Sequence, residues 1–295
     1  MGATSRHPAR VRGGRPSGLG ASVDASRHGS GRVLAHAGRL HGVFSRRRTR
    51  HCDGDDAQWF AALKPGDAQA VEQLFNDAAP SYDKLNDWLS LGLHRQWKRE
   101  MVLLLSPQPG EQWLDLCCGT GDLALALARR LRPGGSVVGV DAASAPLAIA
   151  VQRSAREPWL PVQWRQGDAL NLDMEDACAD GALMAYGLRN LADPAAGLRE
   201  LRRLLRDGGR AGLLDFNRLP SGTAGAVFQR TYLRRVVVPV ASRAGLADHY
   251  AYLEESLKSF PDGAAQMQLA LDAGFREACH RPLAGGLMGL LTVWS

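Results

Sequence analysis

The chain has 295 residues, 45% of them hydrophobic, so it can bury one complete α/β core with additions. Its net charge of +6 is unevenly distributed: residues 1–50 hold 11 arginines, no lysine and one aspartate, a local charge of +10, which leaves −4 for the remaining residues. A body with a negative balance and no basic stripe interleaved with aromatics argues against nucleic acid as the main partner. No segment approaches the roughly 18 apolar residues of a membrane span, so any membrane contact is expected to be peripheral.

The arginine-rich leader comes first in chain order. It also contains several Ser, Gly and Ala residues and has no sustained apolar period, a composition typical of an organelle transit peptide. Residues 1–52 are therefore predicted to be a disordered transit peptide, and residues 53–295 to form the folded domain. A disordered basic tail, a mis-assigned start codon and a nucleic-acid-binding arm are the alternative interpretations.

The cysteines indicate the redox compartment. They are odd in number and show no C-x-x-C spacing: Cys52, Cys117, Cys118, Cys178 and Cys279. This pattern favours neither a disulfide framework nor a zinc site, so we expect a reducing compartment and no metal.

Two helices are predicted after the leader. Asp67 is a candidate N-terminal cap for an amphipathic helix. Residues 82–98, with the sequence YDKLNDWLSLGLHRQWK, contain more Leu and Trp than a linker requires. They form either part of the core or a lid over a functional site. As a lid they would contribute the polar side chains of Tyr82, Asp83, Asn86, His94 and Arg95. The apolar face of the first helix consists of Ala70, Val71, Leu74, Phe75 and Ala78.

Residues 113–131, WLDLCCGTGDLALALARRL, predict a buried strand, a glycine turn and a helix. Gly119 and Gly121 allow a sharp turn and a close approach of the backbone to a ligand. Asp115 precedes the first glycine by four positions, and Ala124 stands where the dinucleotide-binding pattern G-x-G-x-x-G has its third glycine. A carboxylate before the loop suits a cationic ligand better than a pyrophosphate. The arrangement D-x-x-x-G-x-G resembles the S-adenosylmethionine loop of class I methyltransferases.

Two further predicted strands end in carboxylates. Residues 136–140 lead to Asp141, about 20 residues beyond the loop, a spacing at which a carboxylate can bind both ribose hydroxyls of a cofactor. Residues 162–165 lead to Asp168 and Ala169, where a carboxylate and backbone groups could meet an adenine amine. A single Asp at a strand end is usually a cap or a turn residue, but three in register favour a cofactor site.

The second half of the chain completes the predicted sheet. A fourth strand, residues 181–186, ends at Gly187-Leu188-Arg189-Asn190, and the carboxyl ends of parallel strands are where α/β sheets carry chemistry. The other predicted elements are a helix at 194–205, a turn at 207–209, a fifth strand ending at 215–217, an insert at 218–260, a helix at 264–273, and a hairpin of strands at 276–283 and 285–294. Residues 236–240 of the insert are too apolar for a plain surface loop, so they either pack under the lid or form a wall for a hydrophobic substrate.

The chain as a whole is similar to the ubiquinone/menaquinone C-methyltransferase family of class I. The motifs that carry the resemblance cover most of residues 67–295: YDKLNDWLSLGLHRQWK, DLCCGTGDL, GDA, YGLRN and SFPDGAAQMQLALDAGF. Within the family, LNDWLSLG, RRVVVPVA and GGLMGLL resemble the branch from photosynthetic organisms, which methylates demethylphylloquinone. For that branch the arginine-rich leader implies a chloroplast location, with the protein soluble or peripheral to the thylakoid membrane.

The resemblance implies a Rossmann-like α/β sheet of seven strands with the last antiparallel, helices on both faces, an N-terminal helical lid and an insert before the final helix. It implies C-methylation of a reduced, prenylated ring, 2-phytyl-1,4-naphthoquinol, by S-adenosylmethionine to give phylloquinone. The ring must be reduced because a quinol, unlike a quinone, has an electron-rich ring carbon. C-methylation of ubiquinone or menaquinone precursors is the alternative activity, and a homodimer is left open.

The resemblance also implies site residues. Arg189 is predicted to orient or stabilise the quinolate oxygen, directly or through a water, while Tyr82, Asp83, His94 and Asp215 are candidates for the base or its support. The general base stays unassigned because a positioned water would serve as well. The predicted cofactor-binding residues are Asp115, Gly119, Thr120, Gly121, Asp141, Asp168, Ala169 and Ala185.

Three residues near the predicted ribose site depart from the family pattern: Ala142, Ala143 and Pro146. A proline in the first turn of a helix costs little, so these changes affect the fine shape of the adenine pocket and not its existence. Among rival functions, a methyltransferase for another lipid-like acceptor would keep every cofactor motif. A non-catalytic assembly protein is expected to have lost the loop glycines or Asp141, and the missing third glycine disfavours a nicotinamide dehydrogenase.

Overall fold

The computed structural model describes residues 67–90, 92–219, 222–232, 234–235, 239 and 247–295, so the predicted leader lies outside the described residues. The strands are β1 Gln112–Leu116, β2 Ser136–Asp141, β3 Val162–Gln166, β4 Ala179–Ala185, β5 Leu205–Phe216, β6 Glu277–Leu283 and β7 Met288–Trp294. They form one sheet in the order β3-β2-β1-β4-β5-β7-β6, in which β7 runs antiparallel to both of its neighbours. The predicted sheet of seven strands with the last antiparallel is confirmed.

The described helices are α1 Ala68–Leu89, α2 Leu93–Leu105, α3 Asp122–Arg130, α4 Ser144–Ser154, α5 Pro194–Leu204, α6 Ala224–Tyr232, α7 Ala247–Ser259 and α8 Gly263–Asp272. Two buried clusters cover the two faces of the sheet. One contains side chains of α5 and α8, and the other contains side chains of α2 and α3. Helices therefore pack on both faces, as predicted.

The strands alternate between these two clusters. In β4, Ala182 and Met184 pack on the side of α5, whereas Leu183 between them packs on the side of α3. Each of these side chains is at most 2% exposed. Because both faces are covered, the central strands β1, β2 and β4 are largely apolar runs. The edge strands β3 and β6 instead alternate partly buried and exposed residues.

The predicted helix start at Asp67 is confirmed. The carboxylate of Asp67 accepts a hydrogen bond from the backbone N–H of Ala70 at 3.1 Å, at the beginning of α1. Asp193 caps α5 in the same way, by accepting from Ala195 and Ala196. These bonds satisfy backbone N–H groups that have no partner inside the first helical turn.

The structure differs from the prediction in two places. The first helix continues through residues 82–89 as part of α1, so the chain turns only between α1 and α2. The turn predicted at residues 207–209 lies inside β5, where pairing with β4 shifts register: Ala179 faces Leu205, and Gly181 faces Arg210.

The predicted insert contains α6 and α7. Its residues 236–238 and 240, on which the prediction of an apolar wall depends, lie outside the described residues. None of the helices in the described part of the chain combines the length and the apolar character that crossing a membrane requires.

Candidate active site

A cavity of about 1100 Å³, including its open mouth, lies at the carboxyl ends of β1 to β4. The loops after these strands form its floor, and α1 and α2 contribute one wall. Ligands bind at this edge of parallel sheets because the loops there are free to vary on a rigid scaffold. The predicted site residues that line the cavity are Asp83, Gly119, Thr120, Asp141, Asp168, Ala169 and Ala185.

The two glycines of the β1 loop have different roles. Both have positive φ, 54° at Gly119 and 83° at Gly121. A Cβ on Gly119 would meet no atom within 4 Å, so it would project into open space beside the cavity wall. A Cβ on Gly121 would approach the ring of Trp164 to 2.5 Å. Gly119 therefore keeps room for a ligand, whereas Gly121 is required for packing and does not line the cavity.

Asp141 connects the loops that follow β1 and β2. One carboxylate oxygen accepts from the backbone N–H of Gly119 at 2.7 Å, and the other accepts from that of Ala143 at 2.9 Å. Burial raises the pKa of Asp141. Each carboxylate oxygen has a second lone pair, so the group that holds the two loops can still accept hydrogen bonds from a diol.

Asp115 lies beneath the loop and does not line the cavity. It is 1% exposed, and its carboxylate accepts from the backbone N–H of Ala124 at 2.8 Å, in the first turn of α3. Burial raises the pKa of Asp115 to about 7. Asp115, predicted to bind the cofactor, therefore contacts the start of α3 and not the cavity.

The adenine side of the predicted site follows β3. Asp168 is exposed and accepts from the backbone N–H of Leu170 at 3.0 Å, next to the buried Ala169. The three residues that depart from the family pattern, Ala142, Ala143 and Pro146, line the same part of the cavity. Pro146 lies in the first turn of α4, where no intrahelical hydrogen bond is lost.

The wall formed by α1 and α2, here called the lid, is connected to the floor by charged groups. Asp83 of α1 accepts from the hydroxyl of Thr120 at 2.9 and 3.0 Å and forms an ion pair with Arg153 of α4. Arg153 also donates to the Thr120 hydroxyl and to Asp122, each at 2.9 Å. Asp83, predicted as a candidate base, is thus a contact between lid and floor.

Lys98 of α2 is a further charged group that sequence reasoning did not single out. It lines the cavity, with its Nζ 3.6 Å from Asp122 Oδ2 and 5.9 Å from the centre of the Tyr186 ring. Its sequence position could have identified it, because Lys98 lies one helical turn after His94, at the end of the motif that is predicted to form the lid.

Arg189 and Asp215 form a buried ion pair behind the cavity wall. An Nη1 of Arg189 donates to Asp215 at 2.5 Å, the backbone N–H of Arg189 donates to the other carboxylate oxygen at 3.1 Å, and the guanidinium lies 5.2 Å from the Phe216 ring. Neither member of the pair is among the described residues that line the cavity, whereas Tyr186 and Asn190 on either side of Arg189 are. The predicted contact of Arg189 with a quinolate oxygen stays a prediction.

His94 lies where α1 meets α2. It is 4% exposed, its Nδ1 is 2.7 Å from the hydroxyl of Ser90, and its Nε2 is 3.5 Å from Asp87. Burial, followed by the charge of Lys98, lowers the pKa of His94. His94 is not among the described lining residues, so the structure places it as a support of the lid. The side chain of Tyr82, the remaining candidate, lies outside the described residues.

The composition of the cavity wall tests which cofactor it suits. The described lining residues include five acids, Glu72, Asp83, Asp122, Asp141 and Asp168, and one cation, Lys98. S-adenosylmethionine carries a sulfonium and an ammonium group, a ribose diol and one carboxylate. A wall rich in carboxylates, with a diol acceptor at Asp141 and an open cradle at Gly119, fits this molecule.

Two cysteines also line the cavity. Burial, with nearby carboxylates, raises the pKa of both Cys117 and Cys118 well above the ordinary value of a thiol. The thiols therefore remain protonated and pack as small side chains beside the glycines.

Comparisons with known proteins identify the family of the chain. A family model described as the ubiE/COQ5 methyltransferase family matches residues 63–294. A Trichormus variabilis protein named 2-phytyl-1,4-naphtoquinone methyltransferase is 46% identical over 224 residues, 76% of this chain and 97% of that protein. An Arabidopsis thaliana protein named 2-phytyl-1,4-beta-naphthoquinone methyltransferase, chloroplastic, is 42% identical over 221 residues, 74% of this chain and 84% of that protein.

Solved structures agree on the fold. A SAM-dependent methyltransferase from Thermotoga maritima superimposes with a TM-score of 0.52 at 19% identity, over 75% of this chain and 98% of that one. At this identity the likeness concerns the fold alone. With the family match over most of its length, the chain belongs to the ubiE/COQ5 methyltransferase family and is an S-adenosylmethionine-dependent methyltransferase.

Proposed function

We propose that this chain methylates a ring carbon of reduced 2-phytyl-1,4-naphthoquinone, the step that gives phylloquinone. The observation that carries the proposal is the match at 46% identity over 97% of a cyanobacterial protein named for this substrate. The plant relative is named for the same ring and the same tail. In the overall reaction, a hydrogen on the quinol ring is replaced by a methyl group, and the proton leaves to a base.

The cofactor in this proposal is S-adenosylmethionine, which supplies an electrophilic methyl group when bound. Asp141 would hold the ribose, and Asp168 with Ala169 would meet the adenine. Thr120 and Ala185 would border the methionine part, where Gly119 keeps the backbone close. Asp115 and Gly121 would act one layer below, by fixing the loop and α3.

The acceptor is proposed to lie near the corner after β4. Tyr186, Gly187 and Asn190 line the cavity there, and the Asn190 side chain donates to the Tyr186 carbonyl at 2.8 Å. The ion pair of Arg189 and Asp215 supports this corner from the side opposite the cavity, so the corner can hold the ring in one orientation. The helices α1 and α2 would exclude water from the site. Arg189 would stabilise a quinolate oxygen at this corner, directly or through a water. The base would be Tyr82 or a bound water.

The test is methyl transfer from labelled S-adenosylmethionine to chemically reduced 2-phytyl-1,4-naphthoquinone, run beside the oxidised quinone, a reduced naphthoquinone with a polyprenyl tail and a demethylated benzoquinol. Product from the reduced naphthoquinone alone would support both the substrate and the quinol mechanism. Preference for the benzoquinol would assign the chain to ubiquinone-type metabolism. Transfer to a reduced naphthoquinone with a polyprenyl tail in preference to the phytyl tail would indicate a menaquinone precursor.

We also propose a chloroplast location, supported by the chloroplastic plant relative and by the arginine-rich leader. Import of the full chain into isolated chloroplasts, with loss of a fragment from the N-terminus, is the expected result. A chain that stays outside the organelle at full length would contradict the location and the assignment of residues 1–52 as a transit peptide.

The lipid tail of the substrate leads us to propose a peripheral contact with the membrane that dissolves it. In α6, Val227 and Phe228 are 49% and 57% exposed, close in sequence to the apolar run of the insert. Changing both to Ser should reduce flotation with liposomes, while the matched variant Val151→Ser, at an exposed position on α4, should float like the unchanged protein. Equal flotation of all three proteins would remove this contact.

A further inference from the structure

The methionine end of the cofactor cavity has one charged group without an assigned task. Lys98 reaches the cavity from α2, beside Asp122 and the ring of Tyr186. Its side chain is 19% exposed, so most of its surface is covered by the protein. Polar partners stabilise a charged group in such a side chain, because removing a charge from water is costly.

The partners that the protein provides are incomplete. The nearest carboxylate oxygen, Oδ2 of Asp122, is 3.6 Å from Nζ, which is longer than a hydrogen bond. The other oxygen of Asp122 accepts from Arg153 at 2.9 Å. Within the described part of the chain, Lys98 is therefore held by its attraction to Asp122 and to the Tyr186 ring, and its N–H groups have no hydrogen-bond acceptor.

Arg153 is nearby but already engaged. Its two terminal nitrogens donate to the carbonyl and hydroxyl of Thr120, to Asp122 and to Asp83. It is not among the described residues that line the cavity, so Lys98 is the cation that a ligand would meet there.

The cofactor has a single anionic group. S-adenosylmethionine carries positive charge at the sulfonium and the α-ammonium, and negative charge only at the α-carboxylate. The adenosine part is assigned to Asp141 and Asp168, so the amino-acid part must extend toward the other end of the cavity. That end is bordered by Thr120, Asp122 and Tyr186, where Lys98 lies.

We propose that Lys98 binds the α-carboxylate of the cofactor's methionine part, and this inference rests on the proposed cofactor. The bond would pair the anionic group of the ligand with the cation of a wall that is otherwise acidic. Because Lys98 belongs to the lid and not to the sheet, this contact would also make closure of α2 depend on the amino-acid part of the ligand.

The test compares three ligands by calorimetry: S-adenosylmethionine, S-adenosylhomocysteine and 5′-methylthioadenosine, which lacks the amino-acid part. Lys98→Gln should bind the first two about 10- to 100-fold more weakly, as expected for one charge-assisted hydrogen bond, and should bind methylthioadenosine as the unchanged chain does. Lys98→Arg should recover part of the lost affinity. Arg99→Gln, which removes the same charge from the next, exposed position of α2, is the matched control and should bind all three normally.

Two results would overturn the inference while leaving the proposed function intact. Equal weakening of all three ligands would indicate that Lys98 supports the lid in general. Unchanged binding of S-adenosylhomocysteine to Lys98→Gln would show that the carboxylate is bound elsewhere. Failure of the unchanged full-length chain to bind S-adenosylmethionine would instead contradict the proposed cofactor, and the inference with it.

Discussion

The two sides of the cofactor cavity are built in different ways. On the floor, carboxylates bind backbone N–H groups: Asp141 holds the loops after β1 and β2, and Asp115 holds the start of α3. The lid is held by contacts between charged side chains, and the principal pair joins Asp83 of α1 to Arg153 of α4 across 70 positions of sequence. Side-chain ion pairs exchange with water more easily than buried backbone hydrogen bonds do. The hydrogen bonds of the floor are therefore expected to persist in the folded chain, whereas the lid is expected to open for ligands.

The largest effect is expected at the ion pair behind the floor. Arg189 and Asp215 are 8% and 4% exposed. Asp215→Ala leaves a buried guanidinium without its carboxylate, which should lower the free energy of unfolding by about 3–5 kcal/mol in chemical denaturation. Adding Arg189→Met should recover much of this loss because the unpaired charge is removed. A cost below about 1 kcal/mol for the single variant would show that the pair does not hold the corner.

The pH dependence of stability tests whether Asp115 belongs to the permanent floor. Burial raises its pKa in the folded chain to about 7, so the folded chain binds this proton more tightly than the unfolded chain does. The stability contributed by this group is therefore present at about pH 4 and declines as the pH rises to about 7.

Asp115→Asn cannot ionise and should not show this decline. Its free energy of unfolding should exceed that of the unchanged chain by up to about 4 kcal/mol at pH 8, when both are compared with their values at pH 4. Asp173→Asn, at an exposed position away from the cavity, is the control. Parallel curves for Asp115→Asn and the unchanged chain would contradict the raised pKa.

Ligand binding to a variant of Asp141 tests the role of the floor. Asp141→Ala removes the acceptor of two backbone hydrogen bonds and of the predicted ribose contacts. The affinity for S-adenosylhomocysteine in calorimetry should fall by at least about 100-fold, or about 2.7 kcal/mol. Asp173→Ala should bind normally. A loss below about tenfold would mean that the floor keeps its shape without this carboxylate.

The smallest effect is expected at the lid. A double-mutant cycle with Asp83→Asn and Arg153→Met should give a coupling energy of about 0.5–1 kcal/mol that decreases with salt, because both side chains are partly exposed. In the Asp83→Asn and Arg153→Met variants, backbone hydrogen exchange should accelerate in α1 and stay unchanged in β1. The exposed pair of Arg129 and Glu157 provides a control cycle with a smaller coupling. Faster exchange in both α1 and β1 would show that lid and floor open together.

The sequence by itself determined the fold and most of the floor. The central strands are short, largely apolar runs, the cofactor loop is a local pattern of glycines and one carboxylate, and Asp141 and Asp168 follow directly from strand ends. Parallel strands bring their carboxyl ends to one edge, so residues at those ends meet without further information. The expected seven-stranded sheet and the family are confirmed for this reason.

Only the tertiary structure decided which candidates face the cavity. Asp115 and Gly121 lie one layer beneath it, Arg189 is paired behind it, and Lys98 and Arg153, which had no place in the cofactor motifs, lie beside Thr120 and Asp122. Local patterns cannot report these positions, because they depend on how α1, α2 and α4 pack across the sheet. The physical reason is that the position of a charged side chain depends on the groups with which it pairs. The groups that pair with this lid come from distant parts of the chain.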